Sequence, residues 1–392
     1  MPTHQKLPST VYLLGMTIFS LVTAEFMVAG MMPALAQAFS ASLAQVGNLI
    51  AFYALGMALG GPPVTLVCLS RGVSNKRALV ALLLVYVAAG ALAAVAPSYW
   101  VLALARVIMG VASAVCIGLC MTICAELVPL AARGKAISIV LAGLMLSPVA
   151  GVPLTTWVEH AYGWRASSWL VVVLASICTA LAAIRLPDTS ASNPPVLSKQ
   201  WAALHNRELW GAYITSGLII GATFAAFSYC TPILIQVVGI EPAHVAPLLA
   251  LYGVANLLGN MIVGRLADRY TLATLGWGLG VMVVALSGFA LAGHQLWLSL
   301  ACFLALGLTG VALNPAMVAR VMRAAEPGAL VNALHTSVIT AGLALGSWAG
   351  GAAIDWGYGL SAPLWVGAGL ALLGLLSLLR PLTVTAEPER YA

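Results

Sequence analysis

The chain has 392 residues, of which 62% are hydrophobic and 7% are charged, and its mean hydropathy is +1.02. A soluble domain is about 25% charged, so 17 basic and 11 acidic side chains are too few to cover a water-soluble fold of this length. These values exclude a soluble enzyme, a disordered protein and a secreted disulfide scaffold, and they predict that the lipid bilayer is the main solvent.

Twelve apolar runs, each about 20 residues or longer, are long enough to cross the hydrocarbon core of a membrane. They show no period-two alternation, which favours helices over a β-barrel. In chain order they cover roughly residues 10–33, 43–67, 77–96, 99–124, 134–158, 166–186, 209–238, 244–266, 271–293, 296–320, 328–354 and 361–380.

The positions of the basic residues orient these runs. If the N-terminus is placed inside, every Lys and Arg falls on the inner side except Arg165, which falls outside, and Arg106, which lies within the fourth run. Inner loops of membrane proteins carry an excess of Lys and Arg. The sequence therefore predicts an all-α membrane protein with twelve transmembrane helices and both termini in the cytoplasm.

The longest polar stretch divides the chain into two similar halves. It predicts an N-terminal six-helix bundle over residues 1–186, a cytoplasmic linker over 187–208, and a C-terminal six-helix bundle over 209–392 that ends in a short cytoplasmic tail. Two such halves suggest a pseudo-two-fold body around a central cavity.

The net charge of +6 comes from basic residues in twos and threes between apolar runs, so we expect no nucleic-acid partner. Cys116, Cys120 and Cys124 share one helix face. A soft-metal or redox site there is one interpretation, and small packing residues are the favoured one. We expect no cofactor and no bound metal.

The loop after the eighth run reads Gly-Arg-Leu-Ala-Asp-Arg, from Gly264 to Arg269. Gly264 would let the helix end closely, while Asp268 and Arg269 could cap helix termini and pair across an inner gate; a charged turn is the alternative. The loop resembles the signature of the major facilitator superfamily, which links spans two to three and eight to nine. In the first half Arg71 matches that signature, but Ser70 replaces its Asp.

The fourth and fifth runs carry two further resemblances. Arg106, followed by Gly110, looks like the family motif that places one Arg inside the fourth helix; snorkelling to the interface is the alternative. Gly143, Pro148 and Gly151 partly match the family's antiporter motif, which goes with export against proton entry. Physically, the proline removes a backbone hydrogen bond and the glycines permit close helix approach, so a simple kink is the alternative.

Glu25 is the only carboxylate well inside any predicted span. An isolated ionised carboxylate is costly there, so it should be protonated, paired or facing water. Glu25 and Arg106 lie at similar distances from the outer ends of their helices. We expect Glu25 to release and take up protons, with Arg106 and the bound substrate setting its affinity for them; a static ion pair that holds the bundle together is the alternative.

Other residues inside the spans are candidates for the cavity wall, although each could instead pack or bond between helices. They are Tyr53, Met109, Phe224, Phe227, Tyr252, Asn256, Asn314 and His335. Small residues lie four apart at Gly342, Gly346 and Gly350 in the eleventh run and at Gly56 and Gly60 in the second. They predict close helix packing, and in a two-half transporter helices of this kind line the interface where the halves close.

The sequence is most similar to the arabinose-efflux-like branch of twelve-span drug:proton antiporters. Glu25-Phe26 leading to Pro33, Gly163-Trp164-Arg165, and the stretch from Ala344 to Gly351 leading into Asp355 carry this likeness. The resemblance implies a monomer in the bacterial inner membrane that exports a small organic molecule, drug or metabolite, in exchange for protons.

Other functions remain as alternatives. A dedicated exporter of one metabolite, such as a siderophore, sugar or nucleoside, and a proton-linked importer belong to the same class. No phosphate-binding Gly-x-x-x-x-Gly-Lys-Ser/Thr loop is present, so ATP hydrolysis by this chain is not expected. No His-Glu-x-x-His motif or paired intramembrane Asp suggests an enzyme.

Overall fold

The computed structural model describes residues 7–188, 205–293, 295–325 and 329–379. Most of the predicted linker and the C-terminal tail lie outside these ranges. The described residues are helical nearly throughout, and eleven helices are long and apolar enough to cross a membrane. This agrees with the predicted all-helical membrane class.

The long helices follow the predicted runs closely. They are α1 Ser9–Gly30, α2 Leu43–Cys68, α3 Asn75–Ala94, α4 Tyr99–Leu127, α5 Ala132–Tyr162, α6 Trp164–Arg185, α7 Arg207–Gln236, then Pro242–Leu291, and α10 Leu296–Ala324, α11 Leu330–Tyr358 and α12 Ala362–Leu379. The 50-residue helix Pro242–Leu291 has one non-helical residue, Tyr270, with φ −128° and ψ 41°. We call its two arms α8 (242–269) and α9 (271–291). A short helix, Met32–Phe39, follows α1.

Several long helices contain a local change of helical type. π-helical turns occupy Gly56–Gly60 in α2, Ser147–Gly151 in α5 and Ile354–Tyr358 in α11. Pro148 lies inside the second of these, where its missing N–H and its ring displace the regular hydrogen-bond pattern. The α5 interruption therefore falls where the proline predicts one.

The two halves meet through α2 against α11 and α5 against α8. The Ser347 hydroxyl of α11 donates to the Gly47 carbonyl of α2 at 3.0 Å. A Cβ built on Gly253 of α8 would lie 2.6 Å from the Cα of Val149 in α5, so the two backbones touch. We call this end of the bundle, at Gly47, Ser347, Val149 and Gly253, the closed end.

The helices that carry the glycine stripes, α2 and α11, pack on each other across the halves, but the glycines themselves face helices of their own half. A Cβ on Gly346 would lie 2.7 Å from the Cα of Gly221, and one on Gly350 would lie 2.8 Å from the carbonyl oxygen of Ala225, both in α7. Gly56 likewise packs on α4. Small residues serve here to bring helices of the same half together, while the other faces of α2 and α11 meet across the halves.

Candidate functional site

Arg106 is the largest fully buried side chain in the described residues, with 2% of its surface exposed. Its guanidinium donates to three backbone carbonyls. Nε reaches Leu49 of α2 at 3.2 Å, Nη1 reaches Ala24 of α1 at 2.6 Å, and Nη2 reaches Glu25 of α1 at 2.9 Å. The planar fork with its five donors suits such a site. Arg106 therefore ties α1, α2 and α4 together from within and does not snorkel to the interface.

Tyr53 of α2 covers the guanidinium. The centre of the Arg106 guanidinium lies 4.3 Å from the centroid of the Tyr53 ring, within the range of a cation–π contact. The Tyr53 hydroxyl donates to the Leu21 carbonyl at 3.2 Å. Gly110 makes this arrangement possible, because a Cβ there would lie 2.9 Å from the carbonyl carbon of Tyr53. The Arg-to-Gly spacing in α4 thus sets how closely α2 approaches the buried cation.

Glu25 is the only acidic side chain that is buried among the described residues, with 6% of its surface exposed. The structure brings it next to Arg106, as its position along α1 predicts. Within the described chain, however, no oxygen of its carboxylate lies within 4.0 Å of the guanidinium nitrogens. Arg106 binds the backbone carbonyl of Glu25 instead. The alternative of a static Glu25–Arg106 ion pair is therefore wrong, and the carboxyl is not held by that contact.

Stacked aromatic rings connect Phe26, the residue after Glu25 in α1, to helices of the second half. The Phe26 ring lies 5.2 Å from Phe224 and 6.5 Å from Phe227, both in α7. Phe227 stacks on Tyr252 of α8 at 4.9 Å, and Tyr252 stacks on Phe303 of α10 at 4.9 Å. We call these five residues the aromatic bridge. Sequence reasoning found three of them and missed Phe26 as a contact residue and Phe303, because ring stacking between helices leaves no spacing signal in the chain.

The interior also contains a polar atom without a protein partner and a small cavity. Among the described residues, the buried hydroxyl of Tyr252 makes no hydrogen bond. A cavity of about 20 Å³ lies beside Arg106 and is lined in part by Met27, Tyr86 and Met109. That is room for about one water molecule. Met109 therefore contacts the same small space as Arg106.

The remaining candidates lie elsewhere. His335 bonds to the Ser216 hydroxyl at 3.0 Å and stacks on Tyr213 at 5.7 Å, so it packs α11 against α7 within the second half. Asn256 is buried in α8, and Asn314, which is partly buried, begins the last helical segment of α10. Within the described ranges, no hydrogen bond or ion pair joins these three residues to Glu25 or Arg106.

The α5 glycines contact α1 close to this site. A Cβ on Gly143 would lie 2.9 Å from the carbonyl carbon of Gly15, and one on Gly151 would lie 2.9 Å from Cγ2 of Thr23. The Thr23 hydroxyl donates to that of Ser147 at 3.2 Å. Close approach of α5 to α1, which the glycines predict, is present.

The Gly-Arg-Leu-Ala-Asp-Arg stretch is organised differently from the prediction. The helix runs through Gly264, around which there is open space, and breaks only at Tyr270. Gly264 therefore does not end the helix. The side chains of Asp268 and Arg269 are exposed, as is that of Arg71 in the first half. Arg323 of α10 donates to the backbone carbonyl of Asp268, and in the described ranges no ion pair crosses between the halves here.

The cysteines form no metal site. Cys116, Cys120 and Cys124 are buried and free. Over the part of the chain that the structure describes, no three His, Cys, Asp or Glu side chains are arranged to hold a metal ion. The soft-metal interpretation is therefore wrong for these residues.

Comparison with known proteins places the sequence in one family. The sequence model of the Major Facilitator Superfamily matches residues 14–270 and 232–391 of this chain. The inner membrane transport protein YdhP of Escherichia coli K12 is 32% identical over 378 residues, covering 96% of each chain. A chloramphenicol resistance protein of Streptomyces lividans is 29% identical over 394 residues, covering 97% of this chain and 99% of its own.

Solved structures show the same fold at lower identity. A D-xylose-proton symporter superposes with a TM-score of 0.72 at 18% identity and covers 94% of this chain and 95% of its own. A bacterial homolog of the human lysosomal transporter Spinster, inward-facing and occupied, gives a TM-score of 0.70 at 17% identity and covers 95% of this chain and 94% of its own.

Proposed function

Because this chain belongs to the Major Facilitator Superfamily, we propose that it is a secondary transporter that exports a small organic molecule in exchange for protons. It is a multi-pass protein of the inner membrane, in keeping with its helices and with the relative from Escherichia coli. The family transports small molecules across membranes. The exchange of cargo for protons, the export direction and the identity of the transported molecule are parts of the proposal.

The twelve-span topology, with both termini in the cytoplasm, is part of the proposal. A straight helix of 50 residues would be about 75 Å long, more than twice the hydrocarbon thickness of about 30 Å. The break at Tyr270 therefore supports two crossings, α8 and α9, joined by a turn. With the first half's six helices, this supports two bundles of six, and the distribution of Lys and Arg supports the orientation.

The buried Glu25 carboxyl is the observation that supports proton coupling. A carboxyl in a low-dielectric interior is poised between a neutral and a charged form, and water access and nearby charge decide which one is populated. Glu25 has a buried guanidinium beside it but no ion pair with it, so the carboxyl is not committed to the charged form by a direct salt bridge. Opening the cavity to one side or the other would then change its protonation.

The closed end supports alternating access. The α2–α11 and α5–α8 contacts lie at the end that the charge distribution predicts to face outside. Separating Ser347 from Gly47 and Gly253 from α5 would open that end while the halves close at the other. The aromatic bridge spans the two halves, so rocking would change its stacking around Glu25.

The aromatic bridge and the unpartnered Tyr252 hydroxyl support a cargo that is partly apolar and carries at least one hydrogen-bonding group. The chloramphenicol resistance protein among the relatives supports drug-like molecules. We propose chloramphenicol as the first compound to test for transport. We also expect the protein to be a monomer.

Drug accumulation in a pump-deficient bacterial host tests the proposal. Cells that express the protein should accumulate less radiolabelled chloramphenicol than cells with empty vector, and a protonophore should abolish the difference. Glu25→Gln should behave like the empty vector, whereas Glu159→Gln, on the partly exposed carboxyl of α5, should retain activity. Increased uptake in expressing cells would contradict export, and a difference that survives the protonophore would contradict proton coupling.

A panel of unrelated antibiotics, sugars, nucleosides and siderophores in the same host distinguishes broad from dedicated export. Broad export predicts reduced accumulation of several unrelated compounds, whereas response to a single metabolite class would contradict multidrug transport.

A further inference from the structure

A large pocket lies in the second half, away from Glu25 and the aromatic bridge. Its volume is about 1090 Å³, and it opens between α7, α9, α10 and α12. Arg207, the first residue of α7, lines it, so the pocket is at the opposite end of the bundle from Ser347 and the closed end. We call it the arginine pocket.

Three guanidiniums, those of Arg207, Arg320 and Arg323, line this pocket together with one carboxylate, that of Glu208. None of the three arginines lies within 4.0 Å of a carboxylate oxygen in the described residues. Among the described residues, the pocket thus carries more positive than negative charge, and no ion pair within 4.0 Å neutralises it. Arginine is the side chain best suited to bind a phosphate, because its fork can donate two parallel hydrogen bonds.

Arg320 is held in place at the pocket wall. Its Nη1 donates to the Thr215 hydroxyl at 2.7 Å, and that hydroxyl also bonds to the hydroxyl of Ser377 in α12 at 2.6 Å. One of its five N–H donors is used in this way, which leaves donors for a ligand. Arg323 is fixed by its bond to the Asp268 carbonyl. Such fixing lowers the entropy lost when an anion binds.

Much of the remaining pocket wall is apolar and exposed, with Thr271 and Ser377 as its polar members. Ile214, Leu272 and Leu376 have 55%, 47% and 50% of their surfaces exposed. Cations at one end and an apolar wall along the helices match a molecule with an anionic head and hydrocarbon tails. A bare phosphate would use the arginines but not this wall, and it would leave most of the volume unfilled.

We propose that the arginine pocket binds an anionic phospholipid, with its phosphate on Arg207, Arg320 and Arg323 and its acyl chains along the apolar wall. The site does not depend on the transported cargo. In the proposed topology the pocket faces the cytoplasmic leaflet, and this part of the proposal rests on that topology.

Native mass spectrometry of the purified protein in detergent, titrated with phosphatidylglycerol or phosphatidylcholine, tests the site. Each arginine near a membrane surface is worth about 1 kcal/mol toward an anionic lipid, or about fivefold in affinity. The double variant R207Q/R323Q should therefore bind phosphatidylglycerol about 30-fold more weakly and phosphatidylcholine as the wild type does.

The matched control removes the same charge elsewhere. Arg133 and Lys135 are exposed at the start of α5 and do not line the pocket. R133Q/K135Q should leave phosphatidylglycerol affinity unchanged. Equal losses in the two double variants, or equal wild-type affinities for the two lipids, would overturn the proposal. Displacement of the lipid by an equal concentration of glycerol 3-phosphate would also overturn it in favour of a soluble phosphate. If the double variant does not fold, the single substitution R207Q on an exposed residue should show about a fivefold loss.

Discussion

Gly253→Ala is expected to shift the protein away from the state in which the closed end is shut. The added Cβ would lie 2.6 Å from the Cα of Val149 and even nearer to the backbone of Pro148, in the opposite half. Ordinary van der Waals contact begins at 3.4 Å, so the halves must separate there by about 1 Å. Backbone atoms cannot rotate away, and overpacking of this kind costs about 1–3 kcal/mol. If the open state is free of the clash, its population relative to the closed state rises about 5- to 150-fold.

Cysteine accessibility measures this shift. Ala44, with 2% of its surface exposed, lies at the α2–α11 contact of the closed end. In a background with the seven native cysteines replaced, Ala44→Cys should react with a membrane-impermeant maleimide faster in Gly253→Ala than in the parent by that factor. Gly264→Ala is the matched control, because it lies in the same helix and its new Cβ would have no neighbour within 4 Å. Equal reaction rates in Gly253→Ala and Gly264→Ala would refute the reasoning.

Three further substitutions separate packing from transport. Arg106→Gln leaves carbonyls of α1 and α2 without their charged donor. The unfolding free energy of the detergent-solubilised protein should therefore fall by about 3 kcal/mol or more. An unchanged thermal midpoint would show that the three hydrogen bonds do not stabilise the protein. Ser347→Ala removes the hydroxyl that donates across the halves to the Gly47 carbonyl at 3.0 Å, so labelling at the closed end should quicken about fivefold, and unchanged labelling would argue against a role for this bond in closure. His335→Phe removes the bond to Ser216 within the second half, so the midpoint should fall while chloramphenicol export persists; loss of export with normal stability would place His335 in the transport path.

Hydropathy and charge predicted the helices well, because a bilayer demands long apolar segments and self-satisfied backbones. The boundaries of α3 and α4 fall within a few residues of the predicted runs. Glu25 and Arg106 were also predicted to lie together, since each is a costly polar group at a similar depth. In the structure the Arg106 guanidinium donates to the backbone carbonyl of Glu25, and no residue pattern in the sequence predicts a contact of this kind.

The errors concern which neighbour each residue faces. Gly346 and Gly350 predict close packing, and they do pack closely, but sequence spacing does not say that the partner is α7. Gly264 looks like a helix end, yet the helix continues to Tyr270 because nothing at Gly264 interrupts its hydrogen bonds. Partner identity depends on how helices are arranged around each other, and a single chain read residue by residue does not contain that arrangement explicitly.

Cargo-driven proton movement in sealed proteoliposomes tests the central role of Glu25 most directly. With a pH-sensitive dye inside and chloramphenicol added outside, the wild-type protein should move protons across the membrane in the direction opposite to the drug. Glu25→Gln should bind the drug but produce no proton signal, and Glu159→Gln should give the wild-type signal. A Glu25→Gln protein that moves protons at the wild-type rate would contradict the account.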